Sequence, residues 1–428
     1  MDMVGIPTTA GWSLLTSRKG GVDLIPATDS PVVARMRAAG TIMLGKTNVP
    51  VLSASGSHAN DSWAGPTLNA AAPDCVPGAS SAGTATAVAS SMAVLGLAEE
   101  TGGSIQNPAS AQGLVGIKPT FALVPNAGVV PLSSLRDVVG PIARCVRDAA
   151  LCLDVLAGFT MADPKTVASI GKIPQGGYTA RLSPTALQGK RLGLYGPGWR
   201  DQKLAEGTNL LYQRAQRELA ARGATLVADP FQGSGFASIA RPMAGPVPFD
   251  PRGMESVPYD LQQYLQRLGP DAALRNFADF AQATAAQNAF GPTGVLRYLS
   301  EMPGFQACLA HPSEPPDMSA FAAVRAAYLD TFAGVMDAHR LDALVFPQMR
   351  EPLPPLHDGE PIHETTVSEI NIAGLPGVIV PAGAHASGAP FCLIFVGHQW
   401  SEADLLALAF DYEQATRYRR APTLAGTA

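Results

Sequence analysis

Two segments rich in glycine and serine, separated by a run of small residues, restrict the possible folds of this chain more than any other feature. Residues 78–84 read Gly-Ala-Ser-Ser-Ala-Gly-Thr, and residues 100–104 read Glu-Thr-Gly-Gly-Ser. Residues 84–97 between them are nearly all Ala, Val, Ser, Met, Gly and Leu. A helix with small residues on every face must be enclosed at close approach, so this run predicts the central helix of a layered domain.

The segment at residues 100–104 has the residue types that acyl transfer requires. A nucleophile must attack the carbonyl carbon, and several N–H donors must stabilise the oxyanion that forms. In Thr101-Gly102-Gly103-Ser104 the two glycines permit a sharp turn whose successive N–H groups point the same way, beside a serine hydroxyl. A single Gly-Gly-Ser favours an ordinary turn with an idle serine, but the second serine segment at residues 78–84 favours an active site.

Composition and charge exclude several other classes of protein. Hydrophobic residues make up 46% and charged residues 15% of the 428 residues, which indicates a folded chain with a large core. The net charge of −5 and the lack of any lysine or arginine run argue against nucleic acid as a partner. Residues 85–98 fall short of the ~18 apolar residues that span a membrane. Five scattered cysteines predict reduced thiols and a cytoplasmic location, with neither a disulfide framework nor a zinc site.

Alternating helix and strand patterns run through most of the chain. Residues 31–39 read as a helix with proline at its start and glycine after its end, and residues 41–44 as a short buried strand. The βαβ rhythm that follows predicts a mostly parallel sheet covered by helices. Residues 231–316 are looser, as is typical of a segment that selects substrates. The main predicted strands lie near residues 114–120, 138–144, 191–195, 224–227, 341–346, 377–381 and 391–396, and the main helices near residues 146–156, 208–222, 318–339 and 402–417.

Both serine segments resemble the motifs of the amidase signature family, whose pattern is Gly-Gly-Ser-Ser-Gly-Gly followed by Asp-Thr-Gly-Gly-Ser-Ile-Arg-x-Pro-Ala. Residues 113–120, 139–144 and 371–383 also match segments of that family. The resemblance implies an α/β fold, a single α/β/α domain with a large twisted mixed sheet covered by helices. That domain spans residues 1–428, with a signature core at about 1–160, a variable substrate-shaping segment at about 165–340 and a C-terminal part at about 340–422.

The resemblance also implies roles for individual residues. Ser104 corresponds to the nucleophile, and the N–H groups of Thr101, Gly102, Gly103 and Ser104 correspond to the oxyanion hole. Ser80 corresponds to the serine that follows a cis peptide bond and relays protons. The implied activity is hydrolysis of carboxylic amides through an acyl-enzyme on Ser104, without a cofactor or a metal. The expected partner is a small-molecule amide, and the chain is compatible with a homodimer.

The base of this chemistry is expected to lie outside the sequence. In the family a lysine deprotonates the relay serine, and this lysine opens the motif Lys-Asp-x-x-x-x-x-Gly-x-Pro-Thr-Thr-Ala-Gly. Residues 5–11 supply the end of that motif, and counting back seven residues from Gly5 reaches a position before Met1. The resemblance therefore implies impaired activity and low stability for the chain as written. Neither Lys46 nor Lys19 occupies the position of the base.

Several residues depart from the family pattern, and most of them bear on the substrate. Glu100 stands where the family has aspartate and Gln106 where it has arginine, so a guanidinium that could orient acids near the site is lost. Arg136 interrupts the usual Ser-Leu-Asp sequence, and Val51 stands where glutamate is frequent. Ser81, beside the relay serine, is expected to be a structural hydrogen-bonding residue.

Three other functions stay open at this point. The missing lysine favours a non-catalytic ligand-binding protein with the amidase fold, although the two retained serines argue against it. A glutamyl-tRNA amidotransferase A-type subunit shares the motifs, but the acidic chain has no basic tail for tRNA. Residues 40–47 satisfy the P-loop pattern Gly-x-x-x-x-Gly-Lys-Ser/Thr, but a predicted helix precedes them and Pro50 follows, which disfavours a nucleotide site.

Overall fold

A mixed sheet of eight strands forms the centre of the molecule. The computed structural model describes residues 1–240 and 250–423. Across the sheet the strand order is β1-β3-β2-β7-β8-β6-β4-β5, which confirms the prediction of an α/β fold with a large mixed sheet. The strands are β1 (Leu95–Glu100), β2 (Val115–Lys118), β3 (Val138–Ala143), β4 (Arg191–Leu194), β5 (Thr225–Val227), β6 (Ala343–Pro347), β7 (Gly377–Ala384) and β8 (Pro390–Val396).

Helices cover both faces of this sheet, as the α/β/α prediction requires. They are α1 (Pro31–Ala38), α2 (Ala82–Ala89), α3 (Gln106–Ala111), α4 (Val146–Leu156), α5 (Glu206–Ala221), α6 (Val257–Arg267), α7 (Phe277–Ala283), α8 (Pro303–Ala310), α9 (Ser319–His339), α10 (Ser368–Ala373) and α11 (Glu402–Thr416). Helices α1, α4, α5 and α11 share a buried apolar cluster with one face of the sheet. Helices α2, α3, α9 and α10 share another cluster with the opposite face.

Strand β8 shows how the two clusters are divided. Leu393 and Phe395 belong to the first cluster, whereas Ile394 and Val396 belong to the second. Successive side chains of a strand point to opposite faces, so β8 is buried on both sides. Helices α6, α7 and α8 pack elsewhere, in a third cluster that also contains short helical segments near the N-terminus.

The sheet is mainly antiparallel, so the prediction of a mostly parallel sheet is wrong. Strand β4 pairs in parallel with β5 and β6, whereas the pairs β1–β3, β2–β3, β2–β7, β6–β8 and β7–β8 are antiparallel. A tight turn joins β7 to β8, and the His385 N–H donates to the Ala389 carbonyl within it. Antiparallel neighbours need no crossover helix, so the order of helices and strands along the chain did not determine strand direction.

Two predicted elements in the N-terminal part differ from the structure. The small-residue helix ends at Ala89 and not at residue 97, because the chain turns at Ser91, whose φ is +64°, and then enters β1. Residues 41–44 form no strand, and Ile42 and Leu44 are 84% and 74% exposed. No described strand pairs with these residues, so their apolar composition alone did not place them in the core.

Several of the predicted elements lie close to their predicted bounds. Helix α4 spans the predicted residues 146–156, and β8 and α11 each lie within one residue of their predicted bounds.

Residues 41–50 contain neither a strand nor a helix. The strand, loop and helix N-terminus that a P-loop needs are therefore not found around residues 40–47.

Candidate active site

The Thr-Gly-Gly-Ser turn lies between β1 and α3, where the chain leaves an edge of the sheet. Gly103 has a φ of +99°, a backbone conformation that favours glycine. A Cβ atom at this position would lie 3.1 Å from Nδ2 of Asn107 and 3.3 Å from Cγ2 of Val367. The Gly103 carbonyl also accepts a hydrogen bond from the Asn107 N–H at 2.7 Å. Conformation and space therefore both require glycine here.

Glu100, the last residue of β1, anchors this turn to α3 and α10. Its buried carboxylate accepts hydrogen bonds from the N–H groups of Ile105 at 2.8 Å and Gln106 at 3.0 Å. It also accepts from the side-chain amide of Gln106 and from Nδ2 of Asn371 at 2.7 Å. Two of the departures from the family pattern thus meet in one contact, because the Gln106 amide donates to the Glu100 carboxylate.

Replacing Glu100 by glutamine is expected to lower the free energy of unfolding by about 2–3 kcal/mol. The glutamine side chain has one acceptor oxygen where the carboxylate had two. Its NH₂ group would therefore point at N–H donors of Gln106 or Asn371, and those donors would lose their acceptor. Glu99→Gln is the control, because the Glu99 carboxyl accepts a single hydrogen bond among the described residues, from the Thr101 hydroxyl at 3.3 Å. The oxygen of the new amide can still accept that hydrogen bond. Urea unfolding of both variants measures the difference, and equal losses would contradict the expectation.

The second serine segment packs directly against the first. The peptide bond between Ala79 and Ser80 is cis, as the resemblance predicted. The Ser81 N–H donates to the Ser104 carbonyl at 3.4 Å, so the two serine turns are neighbours in space. Ser80 and Ser104 are 2% and 6% exposed, and neither hydroxyl has a hydrogen-bond partner among the described residues. Within the described part of the chain, both hydroxyls are therefore available to a ligand or to each other.

Ser81 differs from Ser80 in the contacts of its hydroxyl. The Ser81 Oγ lies 3.4 Å from both the backbone nitrogen and the carbonyl oxygen of Glu99 on β1. This contact ties the start of α2 to the neighbouring strand. It agrees with the expectation that Ser81 is a structural hydrogen-bonding residue.

Four consecutive backbone N–H groups in the first turn share one property, the lack of an acceptor in the described part of the chain. The N–H groups of Thr101, Gly102, Gly103 and Ser104 donate no hydrogen bond to any of the described residues. Buried N–H groups without an acceptor are rare, because each one costs the free energy of its lost hydration. Four in succession suit a ligand oxygen that carries or develops negative charge.

Neither of the two lysines considered from the sequence is hydrogen-bonded to Ser80 or Ser104 among the described residues. The Lys46 Nζ donates to the carbonyls of Ile6 and Pro7, each at 3.1 Å, and to the Thr8 hydroxyl at 2.6 Å. The residue as a whole is exposed, but desolvation of its amino group lowers the pKa of Lys46 to about 8. Lys19 ends a short helical segment and is exposed. Lys46 therefore supports the Pro-Thr-Thr loop, and Lys19 is a surface charge.

Two residues that support the first turn were not identified as supports from the sequence. Asp137 accepts a hydrogen bond from the Thr101 hydroxyl at 2.6 Å, and burial raises the pKa of its carboxyl to about 6. Arg136, noted only as a departure from the family pattern, donates from Nε to the Thr101 carbonyl at 3.2 Å. The pairing of β1 with β3 sets Glu100 opposite Val138 and so brings these residues to the turn.

A buried polar network beside the turn was also missed. Nδ2 of Asn107 donates to Oε1 of Glu364 at 2.8 Å and to the Gly56 carbonyl at 3.1 Å. Nε2 of Gln348 donates to Oδ1 of Asn107 at 3.0 Å. Burial raises the pKa of Glu364. The network joins residues from four distant parts of the chain, and no short motif marks it.

The described residues contain neither a metal-binding cluster nor a membrane-spanning helix. Within residues 1–240 and 250–423, no group of three or more His, Cys, Asp or Glu side chains could hold a metal ion. None of the helices in those ranges is both long enough and apolar enough to cross a membrane. All five cysteines are free thiols.

Comparisons with known proteins agree with the motifs at this site. A family model described as Amidase matches residues 1–240. The A-type subunit of the glutamyl-tRNA(Gln) amidotransferase of Thermosynechococcus vestitus is 31% identical, over 97% of this chain and 82% of the relative. A probable amidase of Arabidopsis thaliana is 28% identical, over 97% of this chain and 74% of the relative. This chain is also similar to a peptide amidase from Stenotrophomonas maltophilia whose structure was determined by X-ray crystallography. The two share 34% sequence identity and superpose with a TM-score of 0.78, over 99% of this chain and 82% of the peptide amidase.

Proposed function

This chain belongs to the amidase family and hydrolyses carboxylic amides, and we propose that Ser104 is the nucleophile of that reaction. The observation that carries the proposal is the turn at residues 101–104, where the Ser104 hydroxyl and four backbone N–H groups have no hydrogen-bond partner within residues 1–240 and 250–423. We propose that these N–H groups form the oxyanion hole. Ser80, on the adjoining turn, is the proposed proton relay.

In the proposed reaction the Ser104 Oγ attacks the carbonyl carbon of the amide, its proton passes to the Ser80 Oγ, and the proton that Ser80 carried passes on to the amide nitrogen. The N–H groups of the turn stabilise the negative charge that develops on the carbonyl oxygen. The C–N bond then breaks, and the nitrogen protonated through Ser80 leaves, so that an ester remains on Ser104. Water attacks this ester, a proton returns to Ser104, and the carboxylic acid is released.

Peptide amides are the first substrates to test, because a structural relative that shares 34% identity is described as a peptide amidase. We expect the chain to release ammonia from a C-terminally amidated peptide and to convert it to the free acid, at a reduced rate because neither Lys46 nor Lys19 is hydrogen-bonded to Ser80 among the described residues. A coupled ammonia assay and mass spectrometry of the peptide measure the two products. Absence of both products, together with saturable binding of the amide, would instead support a non-catalytic ligand-binding protein.

An amidotransferase A-type subunit is the second candidate, favoured by the 31% identity to such a protein. The two functions differ in the preferred nitrogen donor. A higher kcat/KM for glutamine than for amidated peptides would favour the amidotransferase function. The reverse order would favour an amidase that acts alone.

A further inference from the structure

Arg136, in the loop between β2 and β3, is a fully buried arginine that the proposed reaction does not use. Its guanidinium donates to three backbone carbonyls. Nε bonds the Thr101 carbonyl at 3.2 Å, and Nη1 bonds the carbonyls of Asp250 at 2.6 Å and Arg252 at 3.0 Å. A guanidinium has five N–H donors and no acceptor, so burying it costs free energy unless acceptors surround it. One of those acceptors belongs to the proposed oxyanion turn.

Arg136 and Asp137, which are consecutive in the sequence, hydrogen-bond two different atoms of Thr101. Its carbonyl accepts from Arg136, and its hydroxyl donates to Oδ1 of Asp137 at 2.6 Å. Oδ2 of Asp137 is in turn held by the N–H groups of Leu132 and Ser133, each at 3.0 Å. The main chain and the side chain of Thr101 therefore cannot rotate independently, and the orientation of the following peptide group is determined.

The peptide group between Thr101 and Gly102 transmits this contact to the turn. A trans peptide is planar, and its C=O and N–H point to opposite sides. The hydrogen bond from Arg136 to the Thr101 oxygen therefore sets the direction of the Gly102 N–H on the other side. A positively charged donor on the carbonyl oxygen also polarises the amide, which strengthens its N–H as a donor in a low-dielectric interior.

We propose that Arg136 is a positioning residue of the oxyanion hole, which orients and polarises the Thr101–Gly102 peptide so that the Gly102 N–H binds the developing oxyanion. The inference rests on the proposed role of Ser104 and deepens it. Arg136 itself touches no substrate. Its effect grows as charge develops on the substrate oxygen, so it stabilises the transition state more than the bound substrate.

A purely structural role for Arg136 makes a different prediction. The carbonyls of Asp250 and Arg252 lie in the variable segment, and the Ser133 hydroxyl fastens the same segment by donating to the Gly253 carbonyl. If Arg136 only fastened this segment, its loss would lower stability and weaken substrate binding. It would have no selective effect on the transition state.

The test compares Arg136→Met with Arg35→Met in steady-state hydrolysis of an amidated peptide. Arg35, on α1, also donates to three backbone carbonyls, those of Leu156, Gly158 and Phe159. Losing a direct oxyanion donor costs about 10²–10³ in kcat, so we expect Arg136→Met to lower kcat about 10- to 100-fold with KM changed less than about twofold. We expect Arg35→Met to lower the melting temperature and to change kcat less than about twofold.

A peptide aldehyde provides a second readout, because its addition to a serine hydroxyl creates an oxyanion that imitates the transition state. Its inhibition constant should rise in Arg136→Met by about the factor by which kcat falls. Arg136→Lys keeps the charge but lacks the planar fork of donors, so the same pattern is expected with a smaller loss. If Arg136→Met does not fold, the kcat, the KM and the aldehyde inhibition constant of Arg136→Lys provide the test.

If the parent chain hydrolyses the amide through Ser104, any one of three results in a folded Arg136 variant would contradict the proposed role of Arg136. These are an unchanged kcat, a rise in KM as large as the fall in kcat, and an unchanged inhibition constant for the aldehyde. A parent chain that neither releases ammonia nor binds the aldehyde contradicts the proposed function, and the role of Arg136 falls with it. The parent chain alone therefore distinguishes the two failures.

Discussion

Replacing Ser104 by alanine is expected to lower kcat for amide hydrolysis by about 1,000-fold or more. The alanine chain keeps the turn and its N–H groups but has no oxygen at this position that could form the ester bond. The Ser104 hydroxyl has no hydrogen-bond partner among the described residues, so its removal breaks no structural contact there. The free energy of unfolding should therefore change by less than about 1 kcal/mol.

Two measurements distinguish a nucleophile from a residue that only lines the pocket. Ammonia release gives kcat, and incubation with a fluorophosphonate followed by peptide mass spectrometry identifies the serine that reacts. The parent chain should carry the label on Ser104, and Ser104→Ala should carry none. Ser110→Ala is the matched control, since Ser110 is a buried serine on the adjoining helix α3, and its kcat should stay within about threefold. A label found on another serine, and not on Ser104, would show that Ser104 is not the nucleophile.

The parts of this site that could be predicted lie close together along the chain. Helix α2 and strand β1 alone separate the two serine segments, so one returning helix–strand unit brings Ser81 against Ser104. Turn conformation is equally local, and Gly103 has the positive φ that two successive glycines suggest. Short-range patterns were therefore enough to predict that the two serine segments meet, whereas the roles of Ser80, Ser104 and the N–H groups stay predictions.

The supports of the site come from distant residues and could not be predicted in the same way. Asn371 donates to Glu100, and Asn107 donates to Glu364, across separations of 271 and 257 residues. Such contacts depend on the order of strands in the sheet, in which β2 lies beside β7. Local periodicity identifies a strand but contains no information about its neighbour.

Strand direction and burial show the same limit at the level of the fold. The segment of β2 at Gly116 pairs antiparallel with Ile379 of β7, although its apolar residues would suit a parallel strand equally well. Residues 41–44 are as apolar as a buried strand, yet Ile42 is 84% exposed because no described strand lies beside it. Helix α4 could be predicted because its apolar periodicity is encoded within its own residues.

Replacing Ser80 by alanine is expected to lower kcat for an amide by about 100- to 1,000-fold, whereas Ser81→Ala should cost about threefold or less. The two serines are adjacent and buried, but only the Ser81 hydroxyl has a hydrogen-bond partner among the described residues, the Glu99 backbone. Ser81→Ala should therefore lower the free energy of unfolding by about 1 kcal/mol. Ser80→Ala should leave stability almost unchanged. Steady-state kinetics and urea unfolding of both variants measure the contrast.

The leaving group tests whether Ser80 moves a proton. An amine leaves only after it is protonated, whereas a p-nitrophenolate leaves readily as an anion. A relay serine therefore matters more for an amide than for a p-nitrophenyl ester of the same acid, and we expect the loss in Ser80→Ala to be at least about 10-fold smaller on the ester. Equal losses on both substrates would mean that Ser80 supports the geometry of Ser104 and carries no proton to the leaving nitrogen.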